Sequence, residues 1–128
     1  MMSFFVCAGL LGLLGVALLV HVGRVRGRAK VSIGDGGNIE LITAMRTQAN
    51  FVENVPLALL LIWWTGTFYG PATVATLSVA LVVSRVLHAA GMLGYLPYGR
   101  VIGAALTLAV LIVASLWLGL AGLGVKLY

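Results

Sequence analysis

A small set of polar side chains stands out in an otherwise apolar chain. Arg46, Asn50 and Glu53 lie at i, i+4 and i+7 in the stretch Met45-Arg46-Thr47-Gln48-Ala49-Asn50-Phe51-Val52-Glu53-Asn54-Val55-Pro56. A helix advances about 100° and rises about 1.5 Å per residue, so these three share an arc of roughly 60° in a column about 10 Å tall. A cation, an amide and an anion in one column suit a small zwitterion that carries charges and amides. The alternative is a polar cluster that satisfies itself at a helix end. Further along, Arg85 and His88 sit at i, i+3 inside an apolar run, and Arg100 opens the next one. A charge inside a membrane span is costly and faces a partner or a cavity. Glu53 is the acid nearest to Arg85 in expected depth, so an Arg85–Glu53 ion pair is one outcome. Joint lining of a ligand pocket is another, compatible one. Arginine suits carboxylate recognition through paired N–H groups, and a neighbouring guanidinium favours a thiolate over a thiol. Such a site could hold an anionic thiol and present it to a lipid-dissolved partner.

The elements that must position these groups follow from composition. Of 128 residues, 62% are hydrophobic and 9% charged, with mean hydropathy +1.14. Soluble domains carry about 25% charged residues, so this chain reads as an all-α integral membrane protein. A bilayer core takes about 20 residues per span, which gives a single domain over 1–128 with four spans near 4–22, 39–68, 72–93 and 101–125. The first 23 residues lack the charged start and cleavage signal of a secretory leader and read as the first span. Gly9, Gly12 and Gly15 there, and Ser115 and Gly119 in the fourth span, would let helices approach closely. The second helix, at about 45 Å, exceeds the bilayer core, so its polar first third projects from it. Asn38 is a suitable N-cap, and Pro56 should kink the helix where polar gives way to apolar. Trp63 and Trp64 suit an interfacial belt.

Net charge is +5. Arg24, Arg26, Arg28 and Lys30 crowd the first connector, taken as residues 24–37, and Arg100 ends the third. The positive-inside rule then places both basic connectors in the cytoplasm and both termini outside, with Lys126 as a minor contrary charge. Contact with anionic lipid explains the excess better than nucleic acid, since no basic-aromatic interleaving or soluble module accompanies it. Cys7 is the sole cysteine, which rules out an internal disulfide, and it should pack as a small hydrophobe. His21, at the end of the first span, reads as interfacial. Gly34-Asp35-Gly36-Gly37 lacks the Gly-x4-Gly-Lys-Ser/Thr pattern of a phosphate loop and reads as a turn. No metal set, Ser-His-Asp arrangement or carboxylate pair is present.

Taken together, Arg46-x-Gln48-x-Asn50-x-x-Glu53-x-x-Pro56, Arg85-x-x-His88 and Arg100 resemble the MAPEG proteins, membrane-associated proteins in eicosanoid and glutathione metabolism. The resemblance extends over nearly the whole chain, and the Gly-Asp-Gly-Gly connector is similar to the short bacterial branch. It implies a homotrimer in a bacterial inner membrane, with glutathione as co-substrate between neighbouring subunits near the cytoplasmic face. It implies that Arg46, Asn50, Glu53 and His88 hold the tripeptide, with Arg85 beside them, and that Arg100 polarises the thiol. Arg24 or Arg26 would reach a glutathione carboxylate. The activity implied is transfer of glutathione to lipophilic electrophiles, or reduction of hydroperoxides. Met92 stands where family enzymes often carry Tyr, and Val101 where the prostaglandin-synthase branch has Ser. A non-catalytic lipid- or glutathione-binding scaffold of the same fold is the alternative. A four-span drug exporter would want an acid at the bilayer midplane, which the first, third and fourth spans lack.

Overall fold

The computed structural model describes residues 1–125, and Lys126 lies outside them. Four helices follow one another: α1 (Met2–Ala29), α2 (Ile39–Thr65), α3 (Pro71–Met92) and α4 (Gly99–Gly122). Each runs antiparallel to the one before. Phe4 at the start of α1 meets Trp63 at the end of α2, with ring centroids 5.3 Å apart. At the other end of the bundle, Val22 and Val25 of α1 cluster with Leu41 and Ala44 of α2. α2 and α3 form the centre and touch every other helix, whereas α1 and α4 flank them without touching each other.

α1, α3 and α4 are each long and apolar enough to cross a bilayer, and the protein is an integral membrane protein. α2 falls short of that measure because its first half carries Glu40, Arg46, Gln48, Asn50, Glu53 and Asn54. Each helix buries a stripe at spacings of three and four. In α1 this is Phe4, Cys7, Leu11, Leu18, Val22 and Val25, and in α2 it includes Phe51, Val55, Ala58 and Ile62. Lipid is the solvent for the opposite faces, so the many exposed Val, Leu and Ile side chains carry no penalty there. Buried hydroxyls are satisfied within their own helices: Thr47 donates to Thr43 O, Thr65 to Leu61 O and Ser78 to Val74 O, each at 2.7 Å. That removes the cost of an unpaired polar group in an apolar medium.

The first connector is shorter than expected. α1 continues through Arg24, Arg26 and Arg28 to Ala29, so the basic segment is its last two turns. Arg is a good helix former, and cations are favourable at a helix C-terminus. Lys30 then adopts a left-handed conformation (φ 54°), while Lys30 N–H bonds Gly27 O and Val31 N–H bonds Arg26 O, a Schellman closure. Gly34, Gly36 and Gly37 all have positive φ, and Asp35 Oδ1 accepts from Gly37 N–H at 2.9 Å. The segment is a turn, as its composition implies. Asn38 is the N-cap of α2, with Oδ1 accepting from Leu41 N–H at 2.9 Å. α2 runs unbroken through Pro56.

The closest helix contact is between α3 and α4, and three glycines create it. A Cβ on Gly103 would collide with Ser84 O and His88 backbone, one on Gly99 with Leu87 O, and one on Gly91 with the backbone of Gly99 and Arg100. Main chain therefore rests on main chain, and α4 begins against the last turn of α3. The anticipated Ser115/Gly119 contact is not the one used within the chain: both residues are exposed, and Gly119 has open space around it. A Cβ on Gly15 would come within 3.0 Å of Phe51 Cε1, while one on Gly9 or Gly12 would meet nothing. Cys7 is buried, as a small hydrophobe should be.

Candidate functional site

The polar residues collect at one end of the bundle, where α1 and α3 finish and α2 and α4 begin. Arg85 lies seven residues before the end of α3, about 10 Å inside it. It is 1% exposed, the largest fully buried side chain among the described residues. Its Nη2 donates to Asn50 Oδ1 at 2.8 Å and lies 3.3 Å from His88 Nδ1. Nη1 donates to Thr107 Oγ1 at 3.2 Å, and the guanidinium lies over the Phe51 ring, 5.8 Å from its centroid. Thr107 is 3.0 Å from Ser84 Oγ and 2.9 Å from Gly103 O. Among the described residues, Arg85 Nε is the one buried side-chain nitrogen or oxygen without a partner. α2, α3 and α4 are thus joined through one cation.

The Arg85–Glu53 ion pair does not form. Glu53 is exposed on α2, and Arg28–Glu40 is the one ion pair among the described residues. Glu53 lies about 60° around the helix from Asn50, enough to turn it off the face that meets α3. Every partner of Arg85 is neutral.

Next to this buried group, Ile42, Thr43, Arg46, Asn50, His88, Met92 and Arg100 line a cavity of about 220 Å³. A second hollow of about 180 Å³ shares Asn50 and adds Asn54, Arg85, Ala104, Thr107, Leu108 and Leu111. Four of the residues singled out in the sequence, Arg46, Asn50, His88 and Arg100, therefore meet around one space. Arg100 arrives there because the Gly91–Gly99 contact seats the start of α4 on α3. Tyr98 before it takes a left-handed conformation (φ 61°) to make that entry.

Glu53, Arg24 and Arg26 do not line this cavity. Arg26 is engaged elsewhere: Nη1 donates to Gly34 O at 2.7 Å and Val31 O at 3.3 Å, and Nη2 lies 3.4 Å from Met45 Sδ. It fastens the connector to α2. Arg24 is exposed and has no side-chain partner among the described residues. Sequence reasoning missed Thr107 and Ser84. The signal that could have found them is Gly99-x3-Gly103-x3-Thr107, a one-sided run of small residues ending in a hydroxyl.

Two guanidiniums, an amide and an imidazole stand around one cavity with no carboxylate in its lining, a donor set whose chemistry suits an anion. A membrane-embedded four-helix bundle with such a site at one end of its apolar helices is the class of protein defined here. The MAPEG family model matches residues 4–120, and the chain belongs to the MAPEG family. Among curated proteins, none matches it.

Proposed function

We propose that this protein is a glutathione-dependent transferase or peroxidase acting on lipophilic electrophiles or hydroperoxides within the membrane. The observation that carries the reading is the cavity lined by Arg46, Asn50, His88 and Arg100. Glutathione offers two carboxylates, an ammonium, two amides and a thiol. Arg46 and Asn50 suit the carboxylate and amide groups. Arg100, at the N-terminus of α4, adds a guanidinium to the positive end of a helix dipole. A free thiol with a pKa of about 8.5 is only a few per cent ionised at neutral pH. Stabilised as the thiolate, the sulfur attacks an electrophilic carbon, forms the S–C bond and expels the leaving group with its electron pair.

Small-molecule pockets run to about 300–1,000 Å³, and the cavity of one chain, about 220 Å³, is smaller. A second copy would complete it. Exposed Arg24 and Glu53 are available to meet the ligand from a neighbour, and Arg85 acts behind it. With the family membership, this supports a homotrimer whose α2 also crosses the bilayer, with the basic ends in the cytoplasm of a bacterial cell and both termini outside.

The test uses purified protein in mild detergent. Glutathione binding is measured first, then the ultraviolet thiolate signal, then conjugation of a generic aryl halide. Binding with a thiolate signal and turnover is expected. Binding without turnover would assign the chain to the non-catalytic binders, and no binding would remove glutathione from the account.

A further inference from the structure

Arg85 carries five N–H donors and no acceptor. Its contact with His88 Nδ1, at 3.3 Å, can therefore run in one direction only. Nδ1 must be the bare nitrogen, and the proton of the neutral ring must sit on Nε2. The same constraint orients Asn50. Its Oδ1 faces Arg85 at 2.8 Å, so its amide NH2 points elsewhere. Neither Asn50 Nδ2 nor His88 Nε2 has a hydrogen-bond partner among the described residues, and neither is sealed in the interior, since Arg85 Nε is the one buried atom left unpaired. Both residues line the cavity with Arg46 and Arg100.

The rest of the network fixes Arg85 in turn. Ser84 Oγ donates to Leu81 O at 2.7 Å. Its oxygen is then free to accept from Thr107, whose proton goes to Ser84 Oγ or to Gly103 O. Either way Thr107 Oγ1 accepts from Arg85 Nη1. The Arg85-to-Thr107 bond therefore keeps one direction whichever acceptor the Thr107 proton takes.

We propose that Arg85 is a positioning residue that gives the cavity a single hydrogen-bond polarity. Held by Thr107, it turns the Asn50 amide protons and His88 Nε2–H toward the ligand. With Arg46 and Arg100, every polar side chain of the lining then presents only donors, apart from the Thr43 hydroxyl and the weakly accepting Met92 sulfur. Such a cavity selects groups that only accept, carboxylates and thiolates, over protonated or neutral ones. The inference depends on the glutathione reading only for which anion arrives.

Nitrogen NMR on protein labelled with 15N-histidine reads this directly, and comparison with a His21→Gln variant isolates His88. The expected spectrum of the unliganded protein, at a pH where the ring is neutral, has a pyridine-type Nδ1 and a pyrrole-type Nε2. Thr107→Val should mix the tautomers, and Thr107→Ser should restore the single one. A wild-type ring protonated on Nδ1, or one exchanging between tautomers, overturns the proposal. Asn50→Asp provides a second measurement. It keeps an oxygen on Arg85 but places another toward the ligand, and glutathione affinity should fall about tenfold or more with thermal stability retained. Unchanged affinity in that variant also overturns the proposal. If wild-type protein shows the Nε2–H ring yet binds no glutathione, the functional reading fails and the polarity assignment stands.

Discussion

At the scale of single residues, the polar end of the bundle is organised by a cation with no anion. Arg85 is buried among Asn50, His88, Thr107 and Phe51. Removing one partner of a buried charged group costs more than the hydrogen bond itself, because the group left behind is desolvated and unpaired. Thr107→Val should therefore lower stability by about 1–3 kcal/mol, read by thermal unfolding in detergent, while Thr107→Ser should recover most of it. Arg100 sits at the cavity but takes no part in that network. Arg100→Ala should keep glutathione binding through Arg46 and Asn50, abolish the thiolate signal at neutral pH and cut turnover. Full turnover with an intact thiolate signal would reduce Arg100 to a topology determinant. Glu53→Gln should weaken glutathione binding by about 1–3 kcal/mol, the scale of a charged hydrogen bond. Unchanged affinity would confine Glu53 to structure.

At the scale of elements, the α3–α4 contact depends on three hydrogen atoms where side chains would otherwise be. Gly103→Ala drives a methyl group into the backbone of Ser84 and His88. Overpacking of this kind costs about 1–3 kcal/mol, and here it also shifts Arg100 and Thr107 relative to α3. Gly119→Ala, with nothing nearby, is the matched control and should leave the melting temperature unchanged. Four helices, their order, the Asn38 cap and the turn at residues 34–37 could all be read from the sequence, because hydropathy and turn chemistry are local. The end of α1 could not. Its basic residues look like a loop beside a span, yet Arg26 and Arg28 sustain the helix and suit its C-terminus. Helical spacing put Arg46 and Asn50 on one face and loop charge put His88 and Arg100 toward the same end, whereas their meeting around one ligand was an implication of the family resemblance. What escaped was the support beneath them: a Ser and a Thr in apolar helices usually bond their own backbone and carry no visible signal. The displacement of Glu53 also escaped, because a 60° arc is wide enough to leave a cavity.

At the scale of the whole molecule, the cavity of one chain is open and about 220 Å³, while Arg24 and Glu53 are exposed outside it. Native mass spectrometry in mild detergent should show trimers, and monomers alone would remove the shared-site account. A sharper check mixes two defective subunits. If Arg24 serves a neighbour's cavity, Arg24→Ala and Asn50→Ala proteins should each be impaired alone and regain part of their activity when co-assembled. Absence of any recovery in verified mixed trimers would place Arg24 outside the site.

The glycine-lined crossing of α3 and α4 also bears on how the protein is made. Its contacts join segments close in sequence, across the connector of residues 93–98. Contacts of short sequence separation form fastest, and helices inserted separately in a bilayer associate through small residues. The α3–α4 hairpin is thus suited to close as a unit soon after the ribosome releases it. Arg85 would find Thr107 at that step, and Asn50 when the hairpin docks on α2. Until then, the half-paired cation carries the cost of a charge inside the bilayer, which favours docking of the hairpin on α2.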